Sequence, residues 1–85
     1  METFITSGVC SKSITFDVDS DGAVHAVCFE GGCNGNGQGI ARLAEGRPAG
    51  VIADLLSGIR CKENATSCPD QLARALRRYV QRKAE

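Results

Sequence analysis

The sequence predicts an α+β two-layer sandwich, a small antiparallel sheet of about three N-terminal strands covered on one face by about three C-terminal helices. Three observations carry this. Apolar residues alternate with polar ones through the first third of the chain, a glycine- and asparagine-rich stretch follows, and apolar residues then recur at three- and four-residue intervals to the end. At 85 residues the chain reads as a single domain, 1–85, with one modest core.

A first strand is expected over Glu2 to Ser7. In the second, Ile14, Phe16 and Val18 sit at every other position among Ser13, Thr15, Asp17 and Asp19, the period of a strand with one buried face. Ser20-Asp21-Gly22 reads as a hairpin turn. Ala23 to Phe29 forms the return strand. Strict alternation sets His25, Val27 and Phe29 on one face and Val24, Ala26 and Cys28 on the other. An outward face of Val24, Ala26 and Cys28 is more apolar than a monomer usually exposes, which points to a homodimer.

Gly31 to Gly39 contains five glycines and two asparagines, a composition that disfavours regular structure and reads as a loop. Ile40, Leu43 and Ala44 then make a short helical stripe ended by Gly46 and Pro48. Val51, Ile52, Leu55, Leu56 and Ile59 predict a nearly buried helix from Ala49 to Ser57, closing at Gly58. The last helix opens at Ser67-Cys68-Pro69-Asp70. Ser67 or Cys68 caps it, Pro69 suits the first turn and Asp70 favours the positive end of the dipole. Leu72, Ala73, Leu76, Tyr79 and Val80 are its expected buried stripe, and its arginines the wet face.

Ten Lys and Arg balance ten Asp and Glu, so nucleic acid is not an expected partner. The charge is uneven, however. Met1 to Gly31 is acidic, whereas Arg74, Arg77, Arg78, Arg82 and Lys83 make the last helix basic. No apolar stretch approaches the roughly 20 residues of a membrane helix. Met1 to Cys10 lacks the basic start and apolar run of a secretory signal, so a cytoplasmic, reducing location without structural disulfides is expected.

Five cysteines are the unusual resource. Intervals of 17, 4, 27 and 6 residues contain no CxxC pair, so no zinc ribbon or knuckle is matched. Placement is more informative. Cys10 precedes a strand, Cys33 precedes a helix, Cys61 lies in a linker and Cys68 starts a helix, whereas Cys28 sits inside a strand as a small apolar filler. Helix N-termini stabilise negative charge, which suits thiolate ligands at Cys33 and Cys68. Cys10, Cys33, Cys61 and Cys68 are therefore the expected metal ligands. Four thiolates suit Zn2+, with iron or an iron-sulfur cluster as the alternative. A disulfide shuttle between Cys61 and Cys68 is a second reading.

His25, the lone histidine, reads as a partner for neighbouring groups rather than a ligand. The glycine stretch follows a strand and precedes a helix, as phosphate-binding loops do, but has neither the GxGxxG spacing nor a GK[ST] ending. Nucleotide binding stays a further alternative. No catalytic triad is legible.

Gly8-Val9-Cys10-Ser11, Gly31-Gly32-Cys33-Asn34-Gly35-Asn36 with Gly39-Ile40, Gly58-Ile59-Arg60-Cys61 and Thr66-Ser67-Cys68-Pro69-Asp70-Gln71-Leu72-Ala73 together resemble the TSCPD-domain family, specifically its short stand-alone members. A related domain ends the cobalamin-dependent ribonucleotide reductases. The resemblance therefore implies a link to ribonucleoside-diphosphate reduction and a ribonucleotide-reductase-like partner. The chain has no room for that enzyme's catalytic barrel, so catalysis by this domain alone is not expected. More distantly, Cys10, Cys33 and Cys68 occupy positions similar to the cysteines of iron-sulfur cluster scaffold proteins. A fourth thiolate from Cys61 closes the site, which suits structural zinc better than cluster delivery.

Overall fold

Alternation in the first third does build a sheet. The computed structural model describes residues 2–6, 11–31, 34–60 and 66–84. Strands β1 (Glu2–Ile5), β2 (Ser11–Val18) and β3 (Val24–Gly31) pair antiparallel in the order β1-β2-β3. Helices α1 (Asn34–Ala44), α2 (Ala49–Leu56) and α3 (Cys68–Ala84) follow. The core joins Ile14 and Phe16 of β2 and Val24 and Val27 of β3 to Ile40, Ile52, Leu72 and Leu76 from the helices. This is the expected α+β arrangement, helices packed on one sheet face.

The β2–β3 hairpin is built on Asp19. Its Oδ1 accepts the Asp21 and Ala23 N–H groups at 2.9 and 3.0 Å, an Asx-type turn. The segment after α1 then lies along the start of β3. Gly46 N–H donates to Val24 O at 2.7 Å, Val24 N–H to Arg47 O at 2.8 Å, and Ala23 bridges Pro48.

Strict alternation fails in β3. Thr15 opposes Cys28 and Asp17 opposes His25, so β3 spends one residue more than β2 over that interval, a bulge. Ala26 occupies it with a φ of 57°, a left-handed backbone unusual for alanine. The extra residue turns both Val24 and Val27 inward, while Ala26 and Cys28 stay exposed. Val24 is therefore a core residue, and the apolar outward face from which a homodimer was expected loses its largest member. Replacing Ala26 by glycine should relieve the left-handed strain and stabilise the domain by about 0.5–1 kcal/mol, read as a raised urea midpoint. An unchanged or lower midpoint contradicts this account of the bulge.

The glycine-rich stretch is helical from Asn34 onward instead of a loop. Close packing explains this: a Cβ at Gly37 would lie 3.2 Å from Phe29 Cδ1, so the small residue lets α1 approach the sheet. Composition was outweighed by tertiary contact. The phosphate-loop alternative loses Gly35 to Gly39, which belong to α1.

The other helices bury less than their patterns suggest. In α2 only Ala49, Ile52 and Ala53 are buried; Val51 and Leu55 are 45% and 64% exposed, and Ile59 beyond the helix is exposed too. Leu43 of α1 and Val80 of α3 also face outward, while Ala75 joins Leu72, Ala73 and Leu76 inside. An eight-residue helix that packs chiefly against α3 can bury only one narrow stripe. No described helix is long and apolar enough to cross a membrane.

The α3 arginines are exposed, as expected, but engaged. Arg74 pairs with Asp70, Arg77 with Asp54 and Arg82 with Glu2, and the Arg78 guanidinium lies 5.4 Å from the Phe4 ring centroid. Of these ion pairs, that of Arg82 with Glu2 ties the basic helix to the acidic N-terminal part, and each exposed pair brings little net gain.

Candidate metal centre

The orientation of α3 decides which end of the domain its first residue occupies. Arg82 Nη2 lies 2.6 Å from Glu2 Oε1, and Arg78 stacks over Phe4. Glu2 pairs with Phe16 and Phe4 with Ile14, so α3 runs antiparallel to β1 and parallel to β2. Cys68 precedes Arg78 by ten residues, about 15 Å of helix, and so lies toward the Ser11 end of β2. Ser11 is in turn the register partner of Gly31. The contact of Gly37 with Phe29 sets the start of α1 toward that end as well.

Ser67, Asp70 and Thr66 tie the end of α2 to the same place. Ser67 is the N-cap of α3: its Oγ accepts the Asp70 N–H at 3.2 Å and donates to Ile59 O at 2.6 Å. Asp70 Oδ1 accepts the Gly58 N–H at 2.7 Å. Gly58 has a φ of 86°, the left-handed turn after α2 that presents this N–H. Asp70 Oδ2 accepts the Thr66 hydroxyl at 2.5 Å and meets Arg74 Nε at 3.1 Å. Gln71 Nε2 completes the network by donating to Thr66 Oγ1 at 3.0 Å. Burial raises the Asp70 carboxyl, but the Thr66 and Gly58 hydrogen bonds and the Arg74 charge outweigh it and hold the group below its ordinary range.

Of the four cysteines expected to bind metal, Cys68 is described: it opens α3 and is half-buried. Cys10, Cys33 and Cys61 lie outside the described residues. Among the described residues, no group of three or more His, Cys, Asp or Glu is arranged to hold a metal ion. The described residues adjoining the quartet nevertheless collect at one end of the domain: Ser11 after Cys10, Gly31 and Asn34 around Cys33, Ile59 before Cys61 and Ser67 before Cys68. Cys28 is exposed within β3, so it is not the small apolar filler that the strand pattern suggested.

Both Asp70 oxygens are occupied by Gly58, Thr66 and Arg74. His25 is at the opposite end, six strand residues or about 20 Å from Gly31. Its Nε2 lies 2.7 Å from Asp19 Oδ2 and its Nδ1 bonds Glu45 Oε2, so it is a partner of neighbouring groups, as the sequence suggested. Cys68 at the start of α3 carries a donor of the kind zinc accepts, whereas Asp70 and His25 are engaged with protein partners.

The network around Asp70 escaped the sequence reading. Ser67 and Asp70 stand three apart, the spacing of a capping box, which is a local signal for the helix start alone. The return of Asp70 to Gly58, twelve positions back, has no local signature.

The strand hairpins, the Gly37-bearing helix and the Thr66-Ser67-Cys68-Pro69-Asp70 helix start stand in one chain order, and the TSCPD domain family model matches residues 2–80. The chain belongs to the TSCPD-domain family. No curated protein and no solved structure matches it.

Proposed function

We propose that this domain is a small cytoplasmic metal-binding module in which Cys10, Cys33, Cys61 and Cys68 hold one Zn2+ as thiolates. The gathering of their described neighbours at one end of the fold carries the reading. Each cysteine is one or two residues from a described anchor, and at about 3.8 Å per step all four have the reach to meet a common ion. A reducing compartment keeps such ligands as thiolates. Bound metal would join the sheet, α1 and α3, a gain for a domain whose fully buried large side chains are few. Through the reductase relatives the resemblance suggested, the module serves as an accessory domain of a ribonucleotide-reductase-like system.

Elemental analysis of protein purified without chelator tests the site. One zinc per chain, with four thiols protected together from alkylation until the metal is removed, is the expected result. The contact between Ser67 and Ile59 also brings the approaches to Cys61 and Cys68 together, which favours a disulfide shuttle as the second reading. That alternative predicts metal-free protein with a reversible Cys61–Cys68 disulfide after mild oxidation and Cys10 and Cys33 still open to alkylation.

A further inference from the structure

His25 joins two parts of the fold that are distant in sequence. From the hairpin turn, Asp19 Oδ2 meets its Nε2 at 2.7 Å; from the end of α1, Glu45 Oε2 meets its Nδ1. Both ring nitrogens thus face carboxylate oxygens. A neutral imidazole has one N–H to donate and a lone pair on the other nitrogen, so only the imidazolium satisfies both partners. The other oxygen of Glu45, Oε1, accepts the Ala26 N–H at 3.1 Å, and Ala26 is the left-handed residue of the β3 bulge.

We propose that a proton on His25 fastens the β3 bulge: the imidazolium holds Glu45, and Glu45 holds the backbone of Ala26 in its left-handed conformation. When the proton leaves, one carboxylate must face a lone pair. Asp19 is fixed by its bonds to the Asp21 and Ala23 N–H groups and keeps the remaining ring N–H. Glu45, whose side chain is 52% exposed, is the partner that lets go. Ala26 then loses the acceptor that supports an otherwise costly backbone.

The surrounding charges favour the fastened state. Asp17 of β2 is the register partner of His25, the turn adds Asp19 and Asp21, and the end of α1 adds Glu45. The cations on that side are Arg42 in the last turn of α1 and Arg47, whose Nε is turned to Leu43 O. Hydrogen bonds with Asp19 and then Glu45 raise His25 above its ordinary value of 6.5. The His25 hydrogen bond lowers Asp19, and the Ala26 N–H followed by His25 lowers Glu45, from ordinary values of 3.8 and 4.5. The histidine contribution to stability is complete below pH 6.5 and disappears as the pH rises through its raised value. The carboxylate contributions exist above 3.8 and 4.5 and vanish as the pH falls through their lowered values. The clasp is therefore tightest between pH 4.5 and 6.5.

Nuclear magnetic resonance on the intact chain tests this. Ala26 amide protection, corrected for base catalysis, should fall about tenfold between roughly pH 6 and roughly pH 9, with the same midpoint as the His25 ring titration. In Glu45→Gln, an exposed substitution, the His25 midpoint should move down and the Ala26 change should no longer follow it. In Ala26→Gly, the His25 titration should persist while the bulge needs no clasp. Ala26 protection that ignores the His25 titration overturns the proposal, as does an Ala26 inflection that survives unchanged in Glu45→Gln.

Discussion

Asp70→Ala should destabilise the domain by about 2–4 kcal/mol, most of the ~3–5 kcal/mol that one core of this size supplies. Asp70 is 4% exposed and receives the Gly58 N–H, the Thr66 hydroxyl and the Arg74 guanidinium. Alanine removes every acceptor at once, leaving the Gly58 and Thr66 donors to find others in a site with little water. Asp70→Asn preserves the shape and can still accept from Gly58, but turns an amide N–H2 toward Thr66, for a smaller cost of about 1–2 kcal/mol. Arg74→Ala should cost within about 0.5 kcal/mol, because its side chain is mostly exposed and water replaces the lost ion pair. Thr66→Val shares partners with Asp70, so the Thr66→Val/Asp70→Ala double variant should lose less than the sum of its singles. Urea unfolding of these variants gives the comparison. An Asp70→Ala variant as stable as the parent would mean that the hydrogen bonds at the start of α3 do not hold the end of α2 in place.

That contrast bears on what a sequence can disclose. The period-two pattern of Ile14, Phe16 and Val18 and the cap at Ser67 depend on neighbours close in the chain, so they could be read directly, and Ile14, Phe16 and the Ser67 cap stand where expected. The bulge at Ala26 had no such signal. Its backbone is supported by Glu45, nineteen positions away, and a single inserted residue reverses the facing of everything before it. The helical state of Asn34 to Gly39 was hidden for a related reason: glycine is a poor helix former in isolation, and the contact of Gly37 with Phe29 that rewards it is tertiary. The outward Val51 and Leu55 show the opposite error, since a pattern of spacing records which residues share a face but not how much of that face its neighbour, here chiefly α3, can cover. The candidate site was legible only as cysteines at element ends. What the structure adds is that their described neighbours share one end of the domain, through Ser11 pairing with Gly31, Ser67 bonding Ile59, and the direction of α3.

If those ends are joined by zinc, removing it should produce the largest change of all. Structural zinc sites bind with apparent free energies on the order of 10–16 kcal/mol in small peptides, and whatever part of that the apo fold does not possess is folding free energy. The domain has few alternatives: Phe16, Ile14, Leu72, Leu76 and Val24 are the largest wholly buried apolar side chains. Dialysis against a strong chelator under reducing conditions should therefore abolish the cooperative urea transition or move it to far lower denaturant, and one equivalent of Zn2+ should restore it. Reducing conditions matter, since oxidised thiols would mimic metal loss without testing it. Cys68→Ser weakens the site without changing the shape of the helix start, so it should lose zinc while Ser67 still caps α3. Cys28→Ser, on an exposed strand position, should retain zinc and change stability by within about 0.5 kcal/mol. A chelated protein that unfolds like the untreated one, or a Cys28→Ser variant that loses metal as Cys68→Ser does, removes the basis for assigning the four element-end cysteines to one ion.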